Sequence, residues 1–288
     1  NLTLTGSASV NASGNSLNNV LTGNDGNNTL SGFQGDDTLY GLGGNDQLGG
    51  GSSGVDHVYG GAGDDVLWGG LDSTSLTDLD FLYGEDGNDI LLAGFEPALL
   101  AGGAGADQLV AGTRYSLMVG DIGDDILYGN TGINDMFSGD GNDTLYAGTG
   151  PDQLLGGAGN DIYVFQRGSG QDTLSENDPT PGNTDTVRPN VTPLDLVFSQ
   201  SGSTLQMSIH GGSDKLALQS WYAGTAYQTE VFQAANGSTL LNTQVDQLIQ
   251  AMAQFGANNG GITWDQVIDQ RPQEVQAVLA AYWQPSGG

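Results

Sequence analysis

A nine-residue unit recurs through residues 32–164, and it constrains the fold of this chain more than any other feature. Three clear copies are GGAGDDVLW at 60–68, GGAGADQLV at 102–110 and GGAGNDIYV at 156–164. Related units occupy 32–40, 41–49, 84–92, 120–128, 138–146 and 147–155. The consensus is G-G-x-G-x-D-x-U-x, in which U is a large apolar residue. Because one apolar side chain in nine cannot bury a core within a single unit, this period predicts a solenoid of stacked repeats.

Each position of the unit has a physical role. Glycines at positions 1, 2 and 4 permit positive φ angles and close backbone approach in a tight turn. Asp at position 6 puts one carboxylate at the end of that turn, and positions 7 to 9 form a strand of about three residues. Alternation along the strand then points position 8 inward and positions 7 and 9 outward. The predicted core residues at position 8 are Leu39, Leu48, Val58, Leu67, Leu82, Leu91, Leu109, Leu127, Leu145 and Leu154.

Acidic residues are concentrated in the same region. The 288 residues include 34 Asp and Glu against 5 Lys and Arg, a net charge of −29, and Arg114 is the only basic residue before residue 165. Aspartate beside glycine favours loops and cation ligation. The negative electrostatic potential of such a chain disfavours nucleic acid and anionic membranes as partners. The absence of cysteine excludes disulfides, and no apolar run approaches the roughly 20 residues of a membrane span.

The repeat resembles the calcium-binding nonapeptide of RTX (repeats-in-toxin, haemolysin-type) proteins. The resemblance implies an all-β fold, a right-handed parallel β-roll in which two nonapeptides form one turn. It also implies Ca²⁺ ions between consecutive turns, bound by position-6 carboxylates and loop carbonyls. The implied carboxylate ligands are Asp37, Asp46, Asp56, Asp65, Asp80, Asp89, Asp107, Asp125, Asp143, Asp152 and Asp161. The implied carbonyl ligands are those of Gly41, Gly43, Gly60, Ala62, Gly84, Asp86, Gly102, Ala104, Gly120, Ile122, Ser138, Asp140, Gly156 and Ala158.

Because two nonapeptides form one turn, every second unit lies on the same flank. The position-6 residues therefore form two flanks, one of which lacks some of its carboxylates. We define the continuous flank by Asn28, Asp46, Asp65, Asp89, Asp107, Asp125, Asp143 and Asp161. We define the interrupted flank by Asn19, Asp37, Asp56, Asp80, Ala98, Ser116, Asn134 and Asp152. Three consecutive positions of the interrupted flank lack a carboxylate, so we expect calcium to be lost or weakened near Ala98, Ser116 and Asn134. Arg114 lies in this gap, where it could offset neighbouring acid.

The repeat region also contains two irregularities of spacing and a set of outward-facing aromatic residues. The register slips by one residue at Gly50, and an insertion at 69–74 predicts a surface loop. Position 9 is often aromatic, at Tyr40, Tyr59, Trp68, Tyr83, Tyr128, Phe137 and Tyr146. We expect these rings to stack in rows on the outer faces, either as ladder packing alone or as a platform for carbohydrate or another partner.

The two ends of the chain differ from the roll at 23–164. Residues 1–22 resemble a degenerate repeat, which predicts a cap on the N-terminal end of the roll. Residues 165–241 resemble the domain that follows haemolysin-type repeats and predict a β-rich cap, with strands at 194–199, 204–209, 215–219 and 229–232. Residues 242–288 predict two amphipathic helices, at 243–255 and 273–283, with Pro272 as a first helical residue. They either dock on the cap or serve as the C-terminal signal of a type I exporter, and the two roles are compatible.

No catalytic motif is present, so we expect a non-enzymatic module. His57 and His210 are the only histidines, and both are expected to be ordinary surface residues. The chain begins at Asn1, which suggests a fragment whose catalytic domain, if any, lies upstream. Without a cation, the composition is also typical of a disordered chain.

These observations favour a monomeric, secreted calcium-binding module. It would be disordered in a low-calcium cytosol, would fold outside the cell after export, and would stabilise or switch on upstream domains. The alternative is an adhesin or toxin segment that binds a cell surface or glycan and uses the calcium-loaded roll as its scaffold.

Overall fold

The chain forms a parallel β-solenoid closed by a small β-rich cap and C-terminal helices, as the repeat predicts. The computed structural model describes residues 1–70 and 78–285. Strands are numbered in chain order. The first twenty alternate between two sheets, which contain 13 and 12 strands within the described residues. The two sheets face each other across one line of apolar side chains.

The first sheet contains the odd-numbered strands of the roll. They are β1 (Leu2–Thr3), β3 (Val20–Thr22), β5 (Thr38–Gly43), β7 (His57–Ala62), β9 (Asp80–Asp86), β11 (Ala98–Ala104), β13 (Ser116–Ile122), β15 (Asn134–Asp140), β17 (Gln153–Ala158) and β19 (Gln171–Ser175). The second sheet contains the even-numbered strands β2 (Asn11–Ser13), β4 (Thr29–Gln34), β6 (Gln47–Ser53), β8 (Val66–Gly70), β10 (Ile90–Leu92), β12 (Gln108–Val110), β14 (Ile126–Tyr128), β16 (Thr144–Tyr146), β18 (Ile162–Phe165) and β20 (Thr186–Pro189).

The core is the ladder of position-8 side chains, and this prediction is confirmed. All ten predicted core residues are at most 1% exposed. The pairing register places each of them directly above its equivalent, as Leu91 pairs with Leu67 on one side and Leu109 on the other. Full burial of such a side chain contributes about 1.5–3 kcal/mol, so the stacked turns together form the core that no single unit could.

The register slip at Gly50 is visible as an irregularity where β4 pairs with β6. The pairing shifts between Phe33 and Gln34, so that Gln34 lies opposite Ser53. The extra residue of β6 is absorbed there, and the pairing of Leu48 with Leu67 on the next turn keeps its register. Most of the insertion at 69–74 lies outside the described residues.

The cap continues both sheets and then reverses direction. Its strands are β21 (Leu196–Ser201), β22 (Thr204–Ile209), β23 (Lys215–Gln219), β24 (Val231–Gln233) and β25 (Thr239–Leu241). β23 pairs parallel with β19, and β24 pairs parallel with β20. β22, β21 and β25 are antiparallel to their neighbours. Both sheets therefore cross residue 165, where the sequence pattern changes, without a break.

Two of the four predicted cap strands have the expected bounds, and the other two are shifted by one or two residues. The strands predicted at 204–209 and 215–219 coincide with β22 and β23. The strand predicted at 194–199 begins only at Leu196, because Pro193 opens a short 3₁₀ turn, Pro193–Asp195. The strand predicted at 229–232 begins at Val231.

Three helices follow the cap within the described residues, where two were predicted. They are α1 (Asn242–Asn258), α2 (Trp264–Gln270) and α3 (Pro272–Leu279). Pro272 opens α3 as predicted, but α3 ends four residues earlier than expected. None of these helices, within the part of the chain that the structure describes, combines the length and apolar character needed to cross a bilayer.

Helix α2 was not predicted, and one of the two histidines contacts it. The His210 ring lies 2.8 Å from Asp265 and 3.0 Å from Asp269, one turn apart on α2. The side chain of His210 is only 15% exposed, and its hydrogen bond with Asp265 raises its pKa. His210 therefore ties β22 to the C-terminal helices, instead of being an ordinary surface residue as expected.

Rows of aromatic rings cover parts of the outer faces. Tyr59 stacks between Tyr40 and Tyr83 on the first sheet, with ring centroids 5.0 and 4.9 Å apart. Tyr128 and Tyr146 stack at 4.8 Å on the second sheet. The predicted rows are confirmed for these five residues, whereas Trp68 and Phe137 make no ring stack among the described residues.

Candidate metal centre

The predicted carboxylates occupy the two flanks of the roll, where the chain passes from one sheet to the other. On the continuous flank each Asp immediately precedes a strand of the second sheet, as Asp125 precedes β14. On the interrupted flank each Asp begins or precedes a strand of the first sheet, as Asp37 precedes β5. All eleven predicted aspartates are at most 2% exposed.

One oxygen of each carboxylate joins its own turn to the previous turn. The Oδ1 atom accepts a hydrogen bond from the backbone N–H of the position-6 residue one turn earlier, as Asp125 does from Asp107 and Asp143 does from Asp125. These N···O distances are 2.7–3.0 Å along both flanks. The hydrogen bonds to Asp at position 6 therefore connect adjacent turns without the help of a cation.

The other oxygen is buried without a hydrogen-bond partner. This holds for the Oδ2 atoms of Asp37, Asp46, Asp56, Asp65, Asp89, Asp107, Asp125, Asp143, Asp152, Asp161 and Asp172 within the described part of the chain. Asp80 differs, because its Oδ2 accepts from the Gly70 N–H at 2.5 Å. An isolated buried carboxylate costs several kcal/mol or more, so such a row of unpartnered oxygens requires compensation.

Position-1 glycines leave space beside these oxygens. A β-carbon added at Gly41 would overlap both Asp46 Oδ2 and the carbonyl oxygen of Gly60 on the next turn. The same is true at Gly120, where the overlap is with Asp125 Oδ2 and the Ser138 carbonyl. A carboxylate oxygen and a carbonyl oxygen from successive turns thus converge beside each glycine, and a larger residue would block their approach.

Burial raises the pKa values of these carboxyl groups, and the hydrogen bond to the preceding turn offsets only part of this. The pKa of Asp56 is raised to about 8. Burial raises the pKa values to about 7 for Asp65, Asp89, Asp125 and Asp161. It raises them to about 6 for Asp46, Asp107 and Asp152. In the absence of a cation, the fold therefore penalises the ionised form that calcium would need.

The interrupted flank replaces carboxylate rungs with backbone carbonyls. The N–H groups of Asp80, Ala98 and Ser116 donate to the carbonyls of Pro97, Tyr115 and Ile133, at 3.1–3.2 Å. Asn134 then donates through Nδ2 to the Gly129 carbonyl at 2.6 Å and to Asp152 Oδ1 at 2.8 Å. Three consecutive rungs in the gap thus lack a position-6 carboxylate, and the expected loss or weakening of calcium there stays a prediction.

Two further aspartates, which were not predicted as ligands, extend the ladders into the cap. Asp172 Oδ1 accepts from the Asp152 N–H at 3.0 Å, and Asp185 Oδ1 accepts from the Asp161 N–H at 2.9 Å. Asp172 is 2% exposed and Asp185 is 1% exposed. Their signal was the shared D-T-U triplet, DTL at 172–174 and DTV at 185–187, which repeats positions 6 to 8. Before the first triplet, Gly168 and Gly170 also occupy positions 2 and 4 of the repeat, and both have positive φ angles.

The buried Glu176 lies at the same junction. Its Oε2 accepts from the Tyr163 hydroxyl at 2.7 Å, and burial raises its pKa to about 8. Tyr163 replaces the leucine of position 8 in the last regular repeat, and it is fully buried. The Tyr163–Glu176 pair is therefore a buried polar contact at the end of the position-8 ladder, where the roll meets the cap.

The predicted carbonyl ligands lie where the odd strands run into the continuous flank. Position-3 carbonyls accept a hydrogen bond from the previous turn, as Ile122 does from Gly105 and Asp140 does from Gly123, both at 2.8 Å. A carbonyl oxygen has a second lone pair, so this bond leaves room for a ligand. Their role as calcium ligands stays a prediction.

The donor set suits calcium. Ca²⁺ takes six to eight oxygen ligands in flexible geometry, whereas Mg²⁺ demands a near-ideal octahedron. Within residues 1–70 and 78–285, no three His, Cys, Asp or Glu side chains converge closely enough to hold a metal by themselves. A cation on either flank would therefore be held by Asp Oδ2 atoms together with loop carbonyls from adjacent turns.

A parallel solenoid with buried Asp ladders on its flanks defines a calcium-binding β-roll. The family model of the RTX calcium-binding nonapeptide repeat matches residues 13–48, 50–76, 77–95, 101–136 and 137–174, just over half of the chain. The chain belongs to the RTX calcium-binding repeat family. Its repeat region is a structural, calcium-binding roll rather than a catalytic domain.

Two other comparisons add little to this assignment. No curated protein matches the chain. Among solved structures, the extracellular lipase LipA from Serratia marcescens is similar at 13% identity, over 70% of this chain and 42% of the lipase chain, with a TM-score of 0.19. The chain thus spans less than half of that lipase.

A matched pair of substitutions tests the role of Oδ2. Asp125→Asn keeps an oxygen to accept the Asp107 N–H but removes the charged Oδ2, so we expect the calcium midpoint of folding to rise about tenfold or more. Ser116→Ala, in the interrupted flank, is expected to leave the midpoint within about twofold, because a lone hydroxyl contributes little. Calcium titrations followed by circular dichroism measure both midpoints. Equal shifts in the two variants would contradict the assignment of the flanks.

Proposed function

We propose that this chain is a calcium-triggered folding module of a secreted protein. The observation that carries the proposal is the row of buried Asp Oδ2 atoms without partners on both flanks. At low calcium these carboxylates repel each other and oppose collapse of the roll. At extracellular calcium, binding to the folded form alone converts binding free energy into folding free energy. Extracellular calcium modules bind with Kd on the order of 10⁻⁴–10⁻³ M, which suits such a switch.

The cap gives folding a starting point. β23 and β24 offer paired edges to β19 and β20, so the last turn can add to a surface that is already ordered. The cap also has an aromatic core of its own, in which Phe232 contacts Phe198 and Trp221 with ring centroids 5.2 and 5.8 Å apart. Asp172 and Asp185 then carry both ladders from this cap into the roll.

We propose that residues 242–288 act as the export signal. Helix α1 buries Val245, Leu248 and Met252 in the folded protein. An exporter could therefore recognise this apolar face only before the cap forms. A chain kept unfolded by low cytosolic calcium would satisfy this order, and folding outside would prevent it from sliding back. Stabilisation or activation of upstream domains would follow from the same event.

The export role predicts that removing residues 242–288 abolishes secretion. The chain would be fused behind a reporter and expressed with a type I exporter, and reporter in the medium would be measured. A version ending at Leu241 is expected to lose most of its secretion, whereas Asp125→Asn, which leaves the C-terminal segment intact, is expected to be exported. Equal secretion of the truncated and full-length chains would refute a signal in this segment.

A further inference from the structure

The gap in the interrupted flank produces two adjoining clefts on the surface. One cleft, of about 330 Å³, is lined by residues that include Arg114, Thr131 and Ile133. The other, of about 310 Å³, is lined by residues that include Asn130, Thr131 and Tyr146. Because Thr131 lines both clefts, they adjoin each other, and we name the pair the gap groove. Its walls are loops that have side chains where regular repeats have glycines.

Arg114 supplies the gap groove with an uncompensated positive charge. Its Nε atom is buried and has no hydrogen-bond partner. The guanidinium makes no ion pair within the described residues, although the chain carries a net charge of −29. The nearby carboxylate of Asp135 instead accepts the Tyr115 hydroxyl at 2.7 Å. A guanidinium in this position offers paired N–H donors to an incoming carboxylate.

The other half of the groove ends against an aromatic ring. Tyr146 stacks on Tyr128 on one side, but its neighbour on the next turn is Val164. Both residues line the cleft, and Tyr146 is 37% exposed, because valine is too short to cover its ring as another tyrosine would. Asn130, Thr149 and Gln166 add amide and hydroxyl groups around it. Asn130 also holds a left-handed backbone conformation, with φ of 52°, which fixes the loop that carries it.

We propose that the gap groove binds a saccharide that carries a carboxylate. A pyranose ring would stack on the Tyr146 face, its hydroxyls would meet the amide and hydroxyl groups, and its carboxylate would pair with Arg114. A peptide fits less well, because the strands that border this groove have a paired neighbour on each side in the described part of the chain and offer no free edge. A polyanion would be repelled by the flanking acid, so a single carboxylate is favoured. This inference is independent of the export role.

The test is isothermal titration calorimetry on the calcium-saturated chain with defined probes. 3′-Sialyllactose and a glucuronic-acid disaccharide distinguish two sources of the carboxylate, lactose is the neutral control, and an acidic tripeptide tests the competing class. At least one acidic saccharide is expected to bind about tenfold or more tightly than lactose, since a charge-assisted hydrogen bond adds that much. Arg114→Gln is expected to remove this preference. Tyr146→Ala is expected to weaken both acidic saccharide and lactose.

Tyr59→Ala provides the matched control. Tyr59 lies in a similar stack on the first sheet, away from the gap groove, so its loss is expected to leave affinity unchanged. Circular dichroism of each variant in calcium establishes that the roll is folded. Absence of binding by every saccharide, unchanged affinity in Arg114→Gln, or equal binding of the tripeptide would each overturn the proposal.

Discussion

Removal of calcium is expected to convert the β-solenoid into an expanded chain, and its return is expected to restore the fold in one cooperative transition. Each buried Asp with an unpartnered Oδ2 adds a charge that neither solvent nor another side chain compensates. The position-8 ladder contributes about 1.5–3 kcal/mol per residue. Burial of the uncompensated carboxylates opposes this gain, so the roll without calcium is expected to be unstable.

Far-UV circular dichroism during a calcium titration measures this transition, with magnesium as the control. Because adjacent turns share each rung, the titration should be steeper than that of independent sites. Magnesium is expected to fail at the same concentrations, since it requires a stricter geometry and loses its waters reluctantly. A complete β-spectrum in excess chelator would show that the core and cap suffice, and the calcium sites would then be stabilisers of a preformed scaffold.

Lowering the pH is expected to stabilise the calcium-free fold, and so to replace part of the stabilisation by calcium. In the calcium-free fold the pKa values of Asp56 and Asp172 are raised to about 8, and that of Asp125 to about 7. An unfolded Asp has a pKa of about 3.9, so the folded chain binds more protons than the unfolded chain between about pH 4 and 8. Stability of the calcium-free fold must therefore fall as pH rises through this window, and rise as pH falls.

This effect is expected to be large, because raised pKa values occur on both flanks, as for Asp56 and Asp65. Each of these groups favours the folded state when it binds a proton, so their effects act in the same direction. A chain unfolded at pH 8 in calcium-depleted buffer is thus expected to gain β-structure near pH 5.

Urea unfolding at several pH values measures the acid effect. Calcium should be removed by resin, because chelators weaken in acid. The calcium-saturated chain is the control and should respond in the opposite direction, since protons compete with calcium for the same carboxylates. A calcium-free chain that becomes less stable between pH 8 and pH 5 would contradict the burial of these groups.

The regular part of the roll could be predicted from the sequence because its constraints are local. The spacing of Asp107 and Asp125 fixes one flank, and Leu109 and Leu127 fix the core. Asp172 and Asp185 follow their predecessors by 20 and 24 residues, and they lie beyond Val164, where the regular nine-residue units end, so they were not predicted. Their place in the ladder depends on pairing with the cap, which the spacing alone does not encode.

The C-terminal region shows the same limit. α1 has five apolar residues on one face and could be predicted, whereas α2 is seven residues long and was not. The capping box formed by Thr263 and Gln266 is a sequence pattern that predicts the start of α2. The role of His210 could not be predicted, because Asp265 and Asp269 are more than 50 residues away in sequence.

The direction of the Asp rungs makes the roll a polar assembly. In each rung the later turn supplies the carboxylate and the earlier turn supplies the N–H, from Asp185 and Asp161 at one end to Asp37 and Asn19 at the other. A turn added on the N-terminal side would bring N–H groups to carboxylates that are already ordered, whereas a turn added on the C-terminal side would bring carboxylates to ordered N–H groups. The two ends of the roll therefore differ chemically, as the ends of a polar filament do.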